Sequence, residues 1–113
     1  MKKISLVVLA LLAVACTKPE EKVKNYIASG KKLYEQGDVN KAKIEFKNAL
    51  QLDDKQSEAF FHLALIDERA KNWQGMYGNL MQVVRLDPKN NEAHLKMARL
   101  TLLSGLLDET SKH

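Results

Sequence analysis

With 113 residues, 45% of them hydrophobic and 28% charged, the chain has room for one small domain and too little polar bias for extended disorder. Its formal charge of +4 falls to +2 once Lys2 and Lys3 are set aside, which gives no case for a nucleic-acid partner. A single cysteine, Cys16, excludes an intramolecular disulfide.

At the N-terminus Lys2 and Lys3 precede an apolar run from Ile4 to Ala15 that only Ser5 interrupts. Helix over that run reaches about 18 Å, too short for a hydrocarbon core of about 30 Å. Residues 1–15 therefore read as a cleaved export signal and not as a transmembrane anchor. Its end, Ala13-Val14-Ala15-Cys16, resembles the lipobox of bacterial lipoproteins, with Ala13 where that family usually has Leu. The resemblance implies lipidation at Cys16, which becomes the mature N-terminus and holds the protein to a membrane. The alternative is an ordinary secretory signal with a cysteine nearby. In that family an Asp after the cysteine marks inner-membrane retention. Thr17 stands there instead, which implies an outer-membrane anchor facing the periplasm. Residues 16–22 would form the tether.

The rest of the chain repeats itself. Leu52-Asp53-Asp54-Lys55 returns as Leu86-Asp87-Pro88-Lys89, Glu58-Ala59 as Glu92-Ala93, and Ala64 as Ala98, all at an offset of 34 residues. Apolar spacing is helical, as in Phe60, Leu63 and Ala64, and no segment alternates with period two. Ser57 and Asn91 read as N-caps, and Gly37-Asp38 as a turn. That period and pattern resemble the tetratricopeptide repeat. The resemblance implies an all-α solenoid of helix-turn-helix hairpins: two complete repeats, 23–56 and 57–90, and a truncated third, 91–113. Tyr26, Gly30, Leu33, Gly37, Ala42, Phe46 and Ala49 fit the family pattern in the first repeat. Phe60, Leu63, Ala64, Trp73, Leu80 and Pro88 fit it in the second, and Met97, Ala98 and Gly105 in the third. Ser29, Asp54, Asp67, Lys71, Met76, His94 and Thr101 depart from it, and Met76 in an alanine place predicts looser packing of the second hairpin.

Members of that family bind peptides on a concave face lined by the first helix of each repeat. Carried over by position, the groove takes Lys24, Ile27, Ala28, Lys31 and Tyr34, then Glu58, Phe61, His62, Leu65, Glu68 and Arg69. The third repeat adds Glu92, Leu95, Lys96, Arg99 and Leu103. Phe61, Leu65 and Leu95 are expected to point away from the helix packing. Flanked by Lys31, His62, Lys96 and Arg99, they would suit a protein or peptide with apolar anchors and some acidic character. Ile27 and Glu92 stand where a carboxylate clamp needs basic residues, so terminal-carboxylate binding is not expected.

The residues supply no enzyme chemistry: no metal-ligand spacing around His62 or His94, no calcium loop at Asp53-Asp54 or Asp87, no phosphate loop and no nucleophile motif. No cofactor or metal is expected. Met76, Met81 and Met97 read as core filler, His94 as a packing residue, and Trp73-Gln74-Gly75 as a turn with Trp73 wedged between hairpins. Asn48 to Asp53 after a lysine-rich first helix resembles, weakly, the N-terminal part of exosortase-associated lipoproteins with these repeats. Lipid-anchored members of the wider family serve pilus, outer-membrane, cell-wall or exopolysaccharide assembly. Finally, Gly105 is expected to turn the chain into a second helix that stops short at His113, leaving Leu100, Leu102, Leu103, Leu106 and Leu107 uncovered. That predicts either the front part of a longer solenoid, with its functional surface further on, or self-association at the exposed end.

Overall fold

A computed structural model describes residues 18–111, with side-chain surroundings through Gly105. The export signal, Cys16 and Thr17 lie outside the described residues. The fold is an all-α solenoid of helices packed in chain order: α1 (Pro19–Glu35), α2 (Val39–Leu52), α3 (Ser57–Arg69), α4 (Trp73–Leu86) and α5 (Asn91–Ser111). α1 pairs with α2 and α3 with α4 as antiparallel hairpins, while α5 lies against α4. Pro19 opens α1 at a position where its missing N–H costs nothing, and Glu20 and Glu21 suit the positive end of the helix dipole. Residues 19–22 of the expected tether are thus the first turn of a helix.

The 34-residue period is visible atom by atom at the hairpin turns. Asp38 N–H donates to Leu33 O at 2.9 Å and Gly37 N–H to Tyr34 O at 3.1 Å. One period later Asn72 N–H donates to Asp67 O at 2.9 Å and Lys71 N–H to Glu68 O at 3.1 Å. Both pairs form the helix-ending pattern that needs a left-handed residue after the helix. Gly37 supplies it at φ 84°, and Lys71 is forced into it at φ 58°. Asp38 and Asn72 then cap the second helices, accepting from Lys41 N–H at 3.4 Å and Gly75 N–H at 3.2 Å. The caps expected at Ser57 and Asn91 fall one residue earlier. Ser57 and Asn91 are the first helical residues, and Asn90 accepts from Ala93 N–H at 3.0 Å. Gln56 precedes α3 without capping it and donates instead to Asp53 Oδ2 at 2.8 Å.

Packing follows one rule. Each helix buries residues spaced four then three apart: Val23, Ile27 and Gly30; Ala42, Phe46 and Ala49; Ala59, Leu63 and Ile66; Met76, Leu80 and Val83. Val23 and Ile27 join the α2 residues and Ala59, Leu63 and Ile66 in one core cluster. Ala64 turns the other way and joins Met76, Leu80, Val83 and Ala93 in a second. α3 therefore buries two stripes, one against each hairpin half. Gly30 is required by that closeness, since a Cβ there would stand 2.7 Å from Phe46 Cε1.

Several expectations change here. Met76 is buried at 2% exposure in the second core cluster, as expected of core filler, whereas Met81 is 48% exposed and fills no core. Trp73 is not wedged between hairpins: it opens α4 at 48% exposure, and Gln74 and Gly75 are helical. His94 is exposed, with Nε2 2.8 Å from Pro88 O. Gly105 makes no turn, because α5 continues through it as one helix of 21 residues. Ala98, placed to let a second helix approach, is accordingly exposed.

Candidate functional site

α1, α3 and α5 share one face of the solenoid, and side chains link them across it. Lys31 Nζ on α1 meets Glu58 Oε1 on α3 at 2.7 Å. Hydrogen bond and charge from Glu58 hold the Lys31 ammonium above its usual value of 10.5. Further along, the Arg69 guanidinium lies 4.6 Å above the Tyr34 ring centroid. Between these links sits His62, stacked on Phe46 at 5.0 Å and edge-on to Tyr34 at 5.8 Å and Phe61 at 6.3 Å. Its Nδ1 lies 3.0 Å from Glu58 O. α5 joins through Lys96, whose Nζ donates to both Glu68 carboxylate oxygens at 3.0 and 3.2 Å.

Lys31, Tyr34, His62, Arg69 and Lys96 are therefore brought together, and Leu65 is half-buried on the same helix as His62 and Arg69. Lys24, Ala28, Glu92 and Arg99 are exposed, and so is Leu103 at 54%. Two assignments need correction. Ile27 is buried at 7% exposure in the first core cluster, so it lines no groove. Phe61, one period on, is half-buried against the second cluster and is part of the helix packing after all. Leu95, a further period on, is 52% exposed. The three share the stripe that faces a helix's own hairpin partner, and Leu95 is open because among the described residues α5 has no such partner. His62 is likewise a packing residue in part, wedged between the first hairpin and the face.

The charge of the face is also less free than its composition implies. Lys31 and Lys96 already have carboxylate partners, so Lys24, Arg69 and Arg99 are its cations without one among the described residues. The acidic character expected of a ligand rests on those three. The apolar part narrows to Tyr34 and Leu65.

Two features were not foreseen from the sequence, where Asp67 stood out only as a departure from the repeat pattern. Asp67 is buried at 7% exposure; its Oδ2 accepts from Asn79 Nδ2 at 2.8 Å and its Oδ1 from Asn72 Nδ2 at 3.4 Å. Gly75 leaves room for the pair, since a Cβ there would stand 2.5 Å from Asn72 Nδ2 and 2.9 Å from Asp67 Oδ2. The second is a recess of about 450 Å³ lined by Trp73, Gln74, Tyr77, Leu100, Thr101 and Ser104, at the far end from α1. Among the described residues no group of three metal-ligating side chains occurs, and no helix is long and apolar enough to cross a membrane.

Comparison with known proteins bears on the repeat. No protein-family model matches the chain. Over 70 residues, 62% of the chain, it is 37% identical to human sperm-associated antigen 1, and it spans 8% of that protein's length. The matched length is close to two 34-residue periods. That likeness agrees with helical repeats and reaches no further.

Proposed function

We propose that the chain is a non-catalytic protein-interaction scaffold that takes a peptide or protein segment along the face of α1, α3 and α5. The observation that carries this is the row of cross-helix links, Lys31–Glu58, Arg69–Tyr34 and Lys96–Glu68, which fixes three helices into one surface. Leu65 and the Tyr34 ring offer apolar contact, while Lys24, Arg69 and Arg99 favour a segment with acidic residues. Selection of peptides from a random display library against the chain tests this. Selected peptides should carry apolar anchors and acidic residues, and Leu65→Asp should abolish their binding. Ile44→Asp, an exposed position on α2, should leave it intact.

The same reading places the scaffold on a membrane. Lys2 and Lys3, the apolar run and Ala13-Val14-Ala15-Cys16 support a lipid on Cys16, and Thr17 supports the outer membrane of a bacterial envelope. With α1 starting at Pro19, the face would stay within a few residues of the anchor. A scaffold there fits assembly work on pili, exopolysaccharide or the envelope, the setting of the exosortase-associated lipoproteins that Asn48 to Asp53 weakly resembles.

A further inference from the structure

α1 carries three stripes. Val23, Ile27 and Gly30 face the first core, and Lys31 and Tyr34 reach α3. The third stripe runs from Lys18 at the N-cap through Lys22, Asn25, Ser29 and Lys32, spaced four then three residues apart. At 3.6 residues per turn it lies about 140° round the helix from both the core stripe and Lys31. Its three lysines are exposed, and none has a carboxylate partner among the described residues. Glu20 and Glu35 lie on other sides of α1, and Glu21 only borders the stripe.

The place where the stripe begins selects what it meets. Lys18 stands two positions after Cys16, so with the lipid on Cys16 proposed above, on which this inference rests, the first amine starts at the bilayer surface. From Lys18 to Lys32 the helix rises about 21 Å, so all three amines reach that surface together only when α1 lies flat on it. A leaflet with anionic headgroups offers phosphate along that whole length and attracts each lysine near it. An acyl anchor beside a basic patch is also the two-signal arrangement that holds a protein firmly to a membrane. Lys24 and Lys31 stand more than a quarter turn away from the stripe, so the face of α1, α3 and α5 stays open to a ligand in this pose.

We infer that the outer edge of α1, through Lys18, Lys22 and Lys32, docks on anionic phospholipid headgroups and lays the helix along the membrane surface.

Lysine acetylation of the full chain, produced in a bacterium and reconstituted by its N-terminus into vesicles, tests the contact residue by residue with mass spectrometry. On vesicles containing phosphatidylglycerol, Lys18, Lys22 and Lys32 should react at least about threefold more slowly than on phosphatidylcholine alone, and salt at about 0.5 M should remove the difference. Lys71 and Lys89, exposed at later turns, should react alike on both. Equal reactivity of the stripe on the two vesicles overturns the inference, and so does protection that spreads equally to Lys71 and Lys89. The N-terminal fragment in the same spectra reports the lipid on Cys16. A lipidated chain with an unprotected stripe sinks the docking alone, and an unlipidated chain with a protected stripe sinks the anchor alone. A chain with neither contradicts both.

Discussion

The His62 ring stacks on Phe46 with centroids 5.0 Å apart and planes 23° from parallel, so a residue of the candidate face rests directly on the first core cluster. Phe46 is fully buried, and Phe46→Ala should cost about 3–5 kcal/mol through the cavity it opens. Phe61 is half-buried against the second cluster, so Phe61→Ala should cost about 1–2 kcal/mol and cannot serve as a silent binding probe. Urea midpoints of the two variants check the order. Equal losses would mean that Phe61 is as much a core residue as Phe46.

Lys71 holds φ 58° at the turn where the preceding repeat has Gly37 at φ 84°. A β-carbon is strained there by about 1–2 kcal/mol, which exceeds the entropy that glycine adds to the unfolded chain. Lys71→Gly should therefore stabilise by about 0.5–1 kcal/mol, read as a rise in melting temperature. Gly37→Ala should destabilise by a similar amount or more.

Asp67 is the one charged side chain in the described core, and both its oxygens accept from asparagines. Asp67→Ala would take the partner from half-buried Asn79 and should cost about 1–3 kcal/mol. Asp67→Asn retains one acceptor and should cost less. Thermal melts of the two variants rank them, and equal melts would mean that the hydrogen bonds contribute little.

Lys31 has a folded pKa above its ordinary 10.5 because of Glu58. The stability from that shift is fully present below the unfolded value and disappears as pH rises through the folded one. Both groups are about half exposed, so the effect is small. Urea midpoints of the native chain and Lys31→Met should differ at neutral pH and converge as pH rises past the folded value of Lys31. A difference that persists unchanged into alkali would show that Lys31 acts by packing alone.

If Cys16 carries the lipid, Cys16→Ser should move the protein from the membrane fraction to the soluble periplasmic fraction. An unmodified, uncleaved Cys16 in the native host, found by mass spectrometry, would contradict the anchor.

The repeat was legible because Leu52-Asp53 and Leu86-Asp87 mark the hairpin boundaries in plain residues, and turn hydrogen bonds recur at the same offset. The phase of the binding face was less so. α3 buries two stripes, and from spacing alone Phe61 and Leu65 look alike; only the packing shows that Phe61 faces α4. Asp67 stood out as off-pattern, but its role could not be read, since its partner Asn79 lies twelve residues away on another helix. Gly105 carries the turn residue of the repeat without the turn. There α5 runs on as helix through Gly105 to Ser111.

The most direct test of the interaction surface is backbone-amide NMR of the isotope-labelled chain titrated with a display-selected peptide. Binding along the proposed face predicts shift changes centred on Lys31, Tyr34, Leu65, Arg69 and Lys96, with α2 and the outer side of α4 unchanged. Changes centred on Ile44 and Leu52 of α2, or on Met81 of α4, would contradict it.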